Sequence, residues 1–518
     1  MLYAIPYVSV LLLVLAAFLA FGKSGVRARQ AARVAEAAGV AAILAGLASL
    51  AIFLANGSGV SPLVGVAGFG LSSRVDPVSL SLSLLVATIG WVVLRFAKHY
   101  VDGEPGHGRF TGWMCLTIAA VLLLVQAGNL VQLSLAWVAT SLLLNRLLLF
   151  YPDRIEARRA AHKKFLVARA SDIALVGAAI LMGLAFGSGD IGTILASASG
   201  HGGNPLVVPA AVFLALAAIL KSAQFPVHGW LTEVMETPTP VSALLHAGLI
   251  NAGGFLLIRF ADLMLQAPGV LAVLVIIGGF TALFGSLVML TQPAVKTSLA
   301  WSTIAQMGFM IFQCGLALFP IALLHIVAHS LYKAHAFLSA GNAVDNVAAQ
   351  RRPGPVAVPS AQAVGMAFAV ALGVYILIGL AFDLTSKSPQ AVALGGILIF
   401  GVAYLLAQGF ADRAPRGLFR RTVLYSLLAS VSYFVLQSGV ESLMQGTLPA
   451  TPAPGPLEWS LILCSLISFA SVAAAQSMFP LWAHHPAARD LRVHIANGLY
   501  VNAMFDRLIG SLSTRNSA

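Results

Sequence analysis

Long apolar segments recur along this chain from one end to the other. Residues 267–290, for example, contain no Asp, Glu, Lys or Arg. A bilayer core of roughly 30 Å requires about 20 apolar residues per spanning helix, and the recurring segments have that length. Of the 518 residues, 59% are hydrophobic and 9% are charged, whereas soluble domains carry about 25% charged residues. The chain is therefore predicted to be an integral membrane protein.

The apolar segments predict an all-α polytopic membrane protein with about 15 transmembrane helices, within a range of roughly 13–16. Ten-residue segments of alternating polarity, which would indicate a transmembrane β-barrel, are missing from the sequence. The predicted helices lie near residues 2–22, 34–56, 76–97, 111–127, 129–150, 166–187, 206–228, 239–260, 267–290, 298–315, 318–342, 359–383, 390–411, 422–444 and 458–480.

Basic residues fall mostly on one predicted side of the membrane. That side receives the clusters at residues 23–33, 95–109, 154–164, 351–352 and 413–421, together with Lys296 and the C-terminal arginines. The opposite side receives Arg74, Arg259 and Lys387. By the positive-inside rule, the N-terminus is predicted outside and the C-terminus in the cytoplasm, in a multi-pass protein of the cell inner membrane. The net charge of +12 is thus assigned to orientation in the membrane rather than to nucleic-acid binding.

Two polar segments are predicted at the cytoplasmic surface. The loop PDRIEARRAAHKK (152–164) is basic and could be helical. Either it orients the chain at the lipid surface or it docks a partner. The segment RDLRVHIANGLYVNAMFDRLIGSL (489–512) has apolar residues at helical spacing but is too polar to span. We expect it to lie along the membrane interface or against a cytoplasmic partner.

Lys221 interrupts an otherwise apolar segment, in the sequence LKSAQFPVHGW (220–230). Pro226 cannot donate a main-chain hydrogen bond, so it frees the carbonyl group of Ser222 one turn earlier. A broken helix survives in lipid only where protein or water satisfies the freed groups, which predicts a hydrated cavity beside the lysine. A lysine in such a cavity is a candidate proton carrier. The alternative is a lysine that extends to the inner interface of the membrane.

A second set of ionisable residues lies in HIVAHSLYKAHAF (325–337). His325, His329 and Lys333 are spaced four residues apart and share one helix face, an arrangement typical of a proton relay. No carboxylate or thiol accompanies this row, so metal binding is not predicted. Three further ionisable residues in or near apolar segments are candidates for the path: His246, His335 and Asp383.

Other charged residues are predicted to tune the lysine. Arg169 and Asp172, spaced i, i+3, are expected to pair with each other near it. Glu233, shortly after the break, is assigned the same tuning role.

The three cysteines, Cys115, Cys314 and Cys464, are far apart and form no CxxC pair, so they are interpreted as small buried residues. No P-loop is present, and nucleotide binding is not predicted.

The break segment KSAQFPVHGWLTEVMETPTPVSALLHAG (221–248) closely resembles the signature of the antiporter-like, proton-pumping membrane subunits of respiratory complex I and Mrp cation/proton antiporters. Four more segments match motifs of this family: RVDPVSL, FLVARASDIAL, KTSLAWSTIAQMGFM and AHSLYKAHAFLSAGN. Together the matches cover about residues 70–345 in the family's order.

The resemblance implies two inverted five-helix repeats, each with a broken helix, at residues 111–262 and 267–411. Residues 1–110 would form N-terminal helices, and residues 412–518 would form C-terminal helices with a cytoplasmic amphipathic segment. Family roles fall on Lys221 as the central proton-carrying lysine. The hydrophilic axis of the family falls on His246, Lys296, His329 and Lys333, with Arg169 and Asp172 at matching positions.

Two positions depart from the family pattern. The complex I chain has a glutamate partner for the lysine just after the tryptophan of its fifth helix, where this chain has Val138. The second broken helix lacks the family's central lysine, because its first lysine is Lys387 and its nearest acid is Asp383. These departures argue against a full pump that works through paired lysines.

The segments AWVATSLLLNRLLLFYPDR and RVHIANGLYVNAMFDRL resemble the DabB subfamily, the membrane subunits of DAB inorganic-carbon pumps. This resemblance implies a transporter subunit rather than an enzyme, without a cofactor of its own. It implies a large cytoplasmic DabA-like partner that resembles a zinc β-carbonic anhydrase and holds the zinc. Protons passing inward would then drive hydration of carbon dioxide to bicarbonate on that partner.

Three alternatives stay open at this point. The chain could be a proton-pumping, chain-5-like subunit of an NADH/quinone oxidoreductase. It could be a subunit of an Mrp-type sodium/proton antiporter. It could also be a structural scaffold that conducts nothing.

Overall fold

The computed structural model describes residues 2–23, 28–66, 69–200, 203–342, 360–409, 416–478 and 485–509. Within these residues the fold is almost wholly α-helical, and every predicted apolar segment contains a helix. Twelve of the described helices are long and apolar enough to cross a membrane. The predicted all-α membrane class is confirmed, whereas the exact number of spans and the orientation of the termini stay predictions.

Four helices and two small strand pairs form the N-terminal part. The helices are α1 (Pro6–Phe21), α2 (Arg29–Asn56), α3 (Pro77–Tyr100) and α4 (His107–Val125). Helices α1 and α3 each pack against both α2 and α4. Two antiparallel pairs lie between α2 and α3: β1 (Gly59–Val60) with β4 (Arg74–Val75), and β2 (Val64–Val66) with β3 (Phe69–Leu71). These strands are confined to a predicted loop and leave the helical class unchanged.

Asp76 fixes the start of α3. Its carboxylate accepts a hydrogen bond from Ser79 N at 2.8 Å, and Ser79 Oγ accepts one from Asp76 N at 2.9 Å, which is a capping box. Arg74 Nε and Arg259 Nη1 bind the same carboxylate at 2.6 and 2.5 Å. Burial alone would raise the pKa of Asp76, but Arg259 and Arg74 hold that pKa well below its usual range. Because Arg259 ends α11 (Ala252–Arg259), this buried pair ties α3 to the central helices.

The central part contains the predicted broken helix. Its remaining helices are α5 (Leu130–Leu148), α6 (Ile155–Phe186), α7 (Ile191–Ala198), α8 (Val207–Lys221), α9 (Gly229–Glu233), α10 (Thr239–Ala247) and α12 (Ala261–Met264). Helix α6 packs against α5 and α8. Its 32 residues rise about 48 Å, more than the roughly 30 Å of a bilayer core. The predicted basic loop 152–164 is therefore helical from Ile155 onward and belongs to this long helix.

The next three helices are α13 (Pro268–Met289), α14 (Val295–Gly315) and α15 (Phe319–Leu338). Glycines allow the main chains of α13 and α14 to approach closely. A Cβ atom on Gly278 would lie 2.5 Å from Phe312 N, and one on Gly308 would lie 2.5 Å from Ala282 N. Helix α15 packs against α14, α10 and α11, which brings its polar face to the centre of the bundle.

The C-terminal part comprises α16 (Ala361–Ala381), α17 (Pro389–Gly409), α18 (Arg416–Met444), α19 (Pro456–Ser477), α20 (Pro486–Ala496) and α21 (Val501–Leu508). Helix α16 is uninterrupted, and the chain leaves helical geometry only after it, at Asp383 with φ +55°. The break implied for the second repeat is therefore not found inside this helix. The last two helices pack onto the bundle itself, α20 against α13 and α21 against α9. The division into two repeats stays a prediction.

Candidate functional site

The helix break lies earlier than the sequence indicated. The prediction continued this helix to residue 228, but α8 ends at Lys221 and helical geometry resumes at Gly229. The chain turns at Ala223, whose φ of +49° falls in the left-handed region that few non-glycine residues adopt. Pro226 lies inside the gap, so it follows the end of the helix by five residues. Lys221 is thus the last residue of a helix and not an interior one.

Protein groups bind the polar atoms that the break exposes. Ser222 O accepts a hydrogen bond from Gln224 Nε2 at 2.8 Å, and Ser222 Oγ donates to Ile250 O at 3.0 Å. Phe225 N donates to Thr281 Oγ1 of α13 at 3.1 Å. Non-helical main chain can persist at membrane depth when neighbouring helices satisfy it in this way.

Lys221 is held by two hydroxyl groups and an aromatic ring of α5. Its Nζ donates to Ser141 Oγ at 2.7 Å and to Thr140 Oγ1 at 3.3 Å. The same atom lies 4.4 Å from the ring centroid of Trp137, within cation–π distance. Helix α8 has 15 residues and rises about 22 Å, less than the roughly 30 Å core, so its end lies within the membrane. Among the described residues, no carboxylate lies within ion-pair distance of Lys221.

A second lysine, which the sequence predicts to lie in a loop, shares this site. Lys164 of α6 is 5% exposed, and its Nζ donates to Ser141 O at 2.6 Å. Ser141 therefore binds Lys164 through its carbonyl group and Lys221 through its hydroxyl group. Both lysines line one small cavity, together with Trp230 of α9. Lys164 lies seven and eight residues before the buried pair Ser171 and Asp172, and this helical spacing could have revealed it.

Arg169 and Asp172 lie beside the lysines on α6. Arg169 Nη2 is 2.6 Å from Asp172 Oδ2, the pairing that the i, i+3 spacing predicts. The contact lacks hydrogen-bond geometry, and both carboxylate oxygens of Asp172 accept no hydrogen bond from a described residue. Asp172 is close enough to Lys221 to interact with it electrostatically. Asp172 is thus an acidic side chain that interacts with the lysine without a direct ion pair.

His246 and Lys333 meet through α14. His246 Nδ1 is 3.0 Å from Thr303 Oγ1, and its ring stacks on Phe337 at 4.3 Å between centroids. Thr303 Oγ1 and Lys333 Nζ both donate to Leu299 O, at 3.0 and 3.1 Å. The two ionisable residues are both fully buried. Three helices, α10, α14 and α15, therefore assemble this second group.

His325 and His329 continue the row along α15. Their ring centroids are 6.0 Å apart, as expected for residues one helical turn apart on the same face. Neither nitrogen of His329 has a hydrogen-bond partner among the described residues, and neither does His325 Nε2. Buried imidazole nitrogens normally have a partner, and for these atoms no described side chain or main-chain group supplies it.

A cavity lies between the two groups of ionisable residues. Apolar side chains of α3 and α4 form much of its wall, and its polar lining includes Thr140, Asn251 and Ser330. Asn251 Nδ2 donates to Ser330 Oγ at 2.9 Å, whereas Asn251 Oδ1 is buried without a partner among the described residues. Thr140 contacts Lys221, and Ser330 follows His329 in sequence. The cavity thus lies between the two groups, with the hydroxyl group of Thr140 on the Lys221 side and that of Ser330 on the α15 side.

The structure does not bring every predicted residue into this set. His335 is exposed, because two residues beyond Lys333 amount to about 200° of rotation around the helix. Asp383 is exposed in the turn after α16, where its carboxylate accepts a hydrogen bond from Thr385 Oγ1 at 3.1 Å. Lys296 lies partly exposed at the start of α14. Glu233 pairs with Lys163 at 2.5 Å and forms no ion pair with Lys221.

The described part of the chain contains no group of three His, Cys, Asp or Glu side chains that could hold a metal ion. Cys115 and Cys314 are buried, as interpreted from the sequence, whereas Cys464 is exposed.

Two family models match the chain. One is described as NADH:quinone oxidoreductase/Mrp antiporter, TM, and matches residues 127–352. The other is described as NADH-ubiquinone oxidoreductase (complex I), chain 5 N-terminus, and matches residues 64–111. The two groups of ionisable residues around Lys221 and His329 both fall within the first match.

Relatives and solved structures agree with these models. The chain is 38% identical to the probable inorganic carbon transporter subunit DabB2 of Halothiobacillus neapolitanus, over 87% of this chain and 82% of that protein. It is 42% identical to the probable inorganic carbon transporter subunit DabB of Hydrogenovibrio crunogenus, over 57% of this chain and 58% of that protein. The match thus spans a little over half of the second relative.

Among solved structures, a chain of the Mrp complex from Dietzia superposes with a TM-score of 0.65 and 24% identity, covering 100% of this chain and 60% of that one. A chain of respiratory complex I from Thermus thermophilus superposes with a TM-score of 0.54 and 18% identity, covering 97% and 100%. At these identities the superpositions establish the fold alone. The apolar helices, the family models and the 38% identical relative together establish a multi-pass inner-membrane protein. The chain therefore belongs to the DabB family, within the antiporter-like membrane subunits of complex I and Mrp antiporters.

Proposed function

We propose that this chain is the proton-conducting membrane subunit of an inorganic-carbon transporter. The observation that carries the proposal is Lys221, which ends a broken helix at membrane depth and is held by Ser141, Thr140 and Trp137. Neutral hydroxyls stabilise an ammonium group without fixing it in an ion pair, so a proton can be loaded and released there. Relatives named as inorganic-carbon transporter subunits support the substrate class.

Lys164 and Lys221 act together in this proposal. Both bind Ser141, so two ammonium groups would stand close together in a site of low dielectric constant, where like charges repel strongly. The pair therefore favours one excess proton that either lysine can hold. Val138 offers no acidic partner to Lys221, so in this chain Asp172 of α6 is the acid that interacts with Lys221, and Lys164 adds a like charge beside it.

The proton route continues across the central cavity. From Lys221 it passes Thr140, then Asn251 and Ser330 at the far wall, and reaches His329 on α15. Water must bridge the interval across the cavity, because no protein side chain spans it with a hydrogen bond in the described residues. The imidazole rings of α15 can accept a proton on one nitrogen and donate from the other. Lys333 and His246 form the far end of this chain of groups.

In this function protons flow inward through the chain, and the chain binds a cytoplasmic partner. The partner is a large DabA-like subunit that holds zinc and hydrates carbon dioxide to bicarbonate, and proton entry through this chain drives that reaction in one direction. The predicted cytoplasmic basic residues and the C-terminal helices offer a surface on the side where such a partner would bind.

The test is a co-purified complex in cells whose only carbon supply depends on it. Lys221→Ala should assemble with the partner but abolish bicarbonate accumulation. Lys221→Arg should fail as well, because a guanidinium group does not release its proton near neutral pH. Lys23→Ala is the matched control, since Lys23 is exposed at the end of α1, and it should behave as wild type. A proton uncoupler should abolish accumulation by the wild-type complex.

Each alternative predicts a different outcome of the same experiments. Accumulation that persists in the Lys221→Ala variant, or after the proton gradient is collapsed, would reject proton conduction as the energy source. Purification with flavin-containing or iron–sulfur-containing subunits would indicate a redox complex. Sodium-dependent proton flux without any zinc-containing partner would indicate an antiporter.

A further inference from the structure

We infer that Asp506, on the last described helix, is a positioning residue for the lysine site. It acts through an ionic cluster with a buried centre, formed by two residues of α6, one of α9 and two of α21: Arg159, Lys163, Glu233, Asn502 and Asp506. The inference rests on the proposed conduction through Lys221 and Lys164. It gives α21 a structural role at the lysine site, whereas the proposed function used the C-terminal helices only as a surface for the partner. The described part of residues 489–512 also packs on the bundle itself, and its position along the membrane interface or against a partner stays a prediction.

Lys163 is the centre of the cluster. It is 0% exposed, and its Nζ lies 2.5 Å from Glu233 Oε1, 2.8 Å from Asn502 Oδ1 and in an ion pair with Asp506 Oδ1. Arg159 Nη2 lies 2.5 Å from Asp506 Oδ2. Asn502 Nδ2 donates to Glu233 Oε1 at 2.8 Å. Two cations and two carboxylates thus neutralise each other, as buried charges require.

The cluster holds the α6 wall of the lysine cavity. Lys163 and Lys164 are consecutive residues, so fixing the side chain of one restricts the helix segment that carries the other. Lys164 Nζ reaches Ser141 O from this segment. A shift of α6 on this side would therefore move Lys164 relative to Ser141 and Lys221.

The cluster also holds the α9 wall. This helix has five residues, with Trp230 lining the lysine cavity and Glu233 binding the cluster. Asn502 packs directly on Gly229, where an added Cβ atom would lie 1.7 Å from Asn502 Oδ1. Helix α9 is therefore confined between the cavity and α21, and so short a helix has little internal stability to hold its place unaided.

The orientation of α21 shows what places it there. Asn502 and Asp506 are four residues apart and face the bundle, whereas Met504 and Leu508 on the other side are 62% and 83% exposed. An amphipathic helix usually docks through its apolar face. Here Asn502 and Asp506 face the bundle, and Phe505 packs against the core beside them. The charges of Lys163 and Arg159 therefore contribute to the position of the helix together with this apolar contact. Removing the Asp506 charge should loosen the helix and leave an uncompensated positive charge beside Lys164.

The test compares Asp506→Asn with Asp506→Glu in the complete complex, reconstituted into proteoliposomes. Proton influx is driven by an imposed potential, and hydrogen–deuterium exchange follows residues 501–508. Asp506→Asn should lower the influx at least about tenfold and increase exchange in α21, and Asp506→Glu should restore most of both. The matched control is Asp490→Asn, an exposed carboxylate of α20, which should leave both unchanged.

Further variants keep the result interpretable. If Asp506→Asn fails to fold, Asn502→Ala removes two hydrogen bonds of the cluster while keeping all its charges, and it should also lower the influx. If Lys221→Ala conducts as wild type, the proposed function fails. If Lys221→Ala is inactive while Asp506→Asn and Asn502→Ala both conduct as wild type, the positioning role of Asp506 is overturned and the proposed function stands.

Discussion

Ser141 offers the sharpest test of how the lysine pair is held. Its hydroxyl accepts a hydrogen bond from Lys221 at 2.7 Å, whereas its carbonyl oxygen accepts one from Lys164 at 2.6 Å. Ser141→Ala therefore removes one bond to Lys221 and leaves the bond to Lys164 in place. Lys221 retains Thr140 at 3.3 Å and the Trp137 ring at 4.4 Å. The substitution thus weakens the binding of one ammonium group without emptying its site.

The size of the effect follows from these contacts. A hydrogen bond to a charged group contributes about 1.5–3 kcal/mol, and about 1.4 kcal/mol corresponds to a factor of ten. Because Thr140 and Trp137 remain, the lower end applies, and proton influx should fall about tenfold. Ser141→Thr keeps a hydroxyl group on the same carbon atom and should restore most of the influx. The free energy of unfolding should fall by about the same 1.5 kcal/mol, which is too little to prevent folding.

The assay is potential-driven proton influx into proteoliposomes, read with an internal pH-sensitive dye. Ser134→Ala is the matched control, because it is the same change one heptad earlier on the same helix. Ser134 Oγ is buried and makes no hydrogen bond with a described residue, so this variant should conduct as wild type. The reasoning would be refuted if Ser141→Ala conducted at the wild-type rate while Lys221→Ala was inactive. Equal losses in the Ser134 and Ser141 variants would count against it as well.

Three other predictions concern stability, pH and topology. Asp76→Asn keeps an oxygen that can cap α3 but leaves the buried Arg259 without a counter-charge. The variant should therefore lower the free energy of unfolding in detergent by about 3–5 kcal/mol. An Asp76→Asn/Arg259→Gln double variant that is as unstable as Asp76→Asn would contradict this explanation. Because the pKa of Asp76 is held below its usual range, its stabilisation is complete above about pH 4 and is lost only at lower pH. The difference in melting temperature between wild type and Asp76→Asn should therefore be constant from about pH 8 to about pH 5, and a difference that shrinks within that range would contradict the ion pair. In a Cys464→Ser background, an impermeant maleimide should label Ser199→Cys from outside and Asp153→Cys only after permeabilisation; the reverse pattern would invert the predicted topology.

The sequence by itself determined the membrane class and most of the helices. Apolar runs of about 20 residues leave few alternatives in a bilayer, because main-chain polar groups must be satisfied within the segment. The i, i+4 spacing of His325, His329 and Lys333 likewise required only one helix to place them on one face. The motif around Lys221 was sufficient to indicate the family, because its residues are contiguous in the chain. In each case the information is local.

Only the tertiary structure decided which side chains meet. Lys164 looked like part of a surface loop, because its neighbours are basic, yet α6 carries it into the interior beside Ser141. Lys221 looked like an interior helical residue, yet the helix ends there, because Ser222 and Phe225 find hydrogen-bond partners outside the helix. Asp506 lies 343 residues from Lys163 in the chain, and no spacing rule connects the two. Such contacts depend on how helices pack and rotate against one another, and hydropathy and spacing along one chain do not specify that.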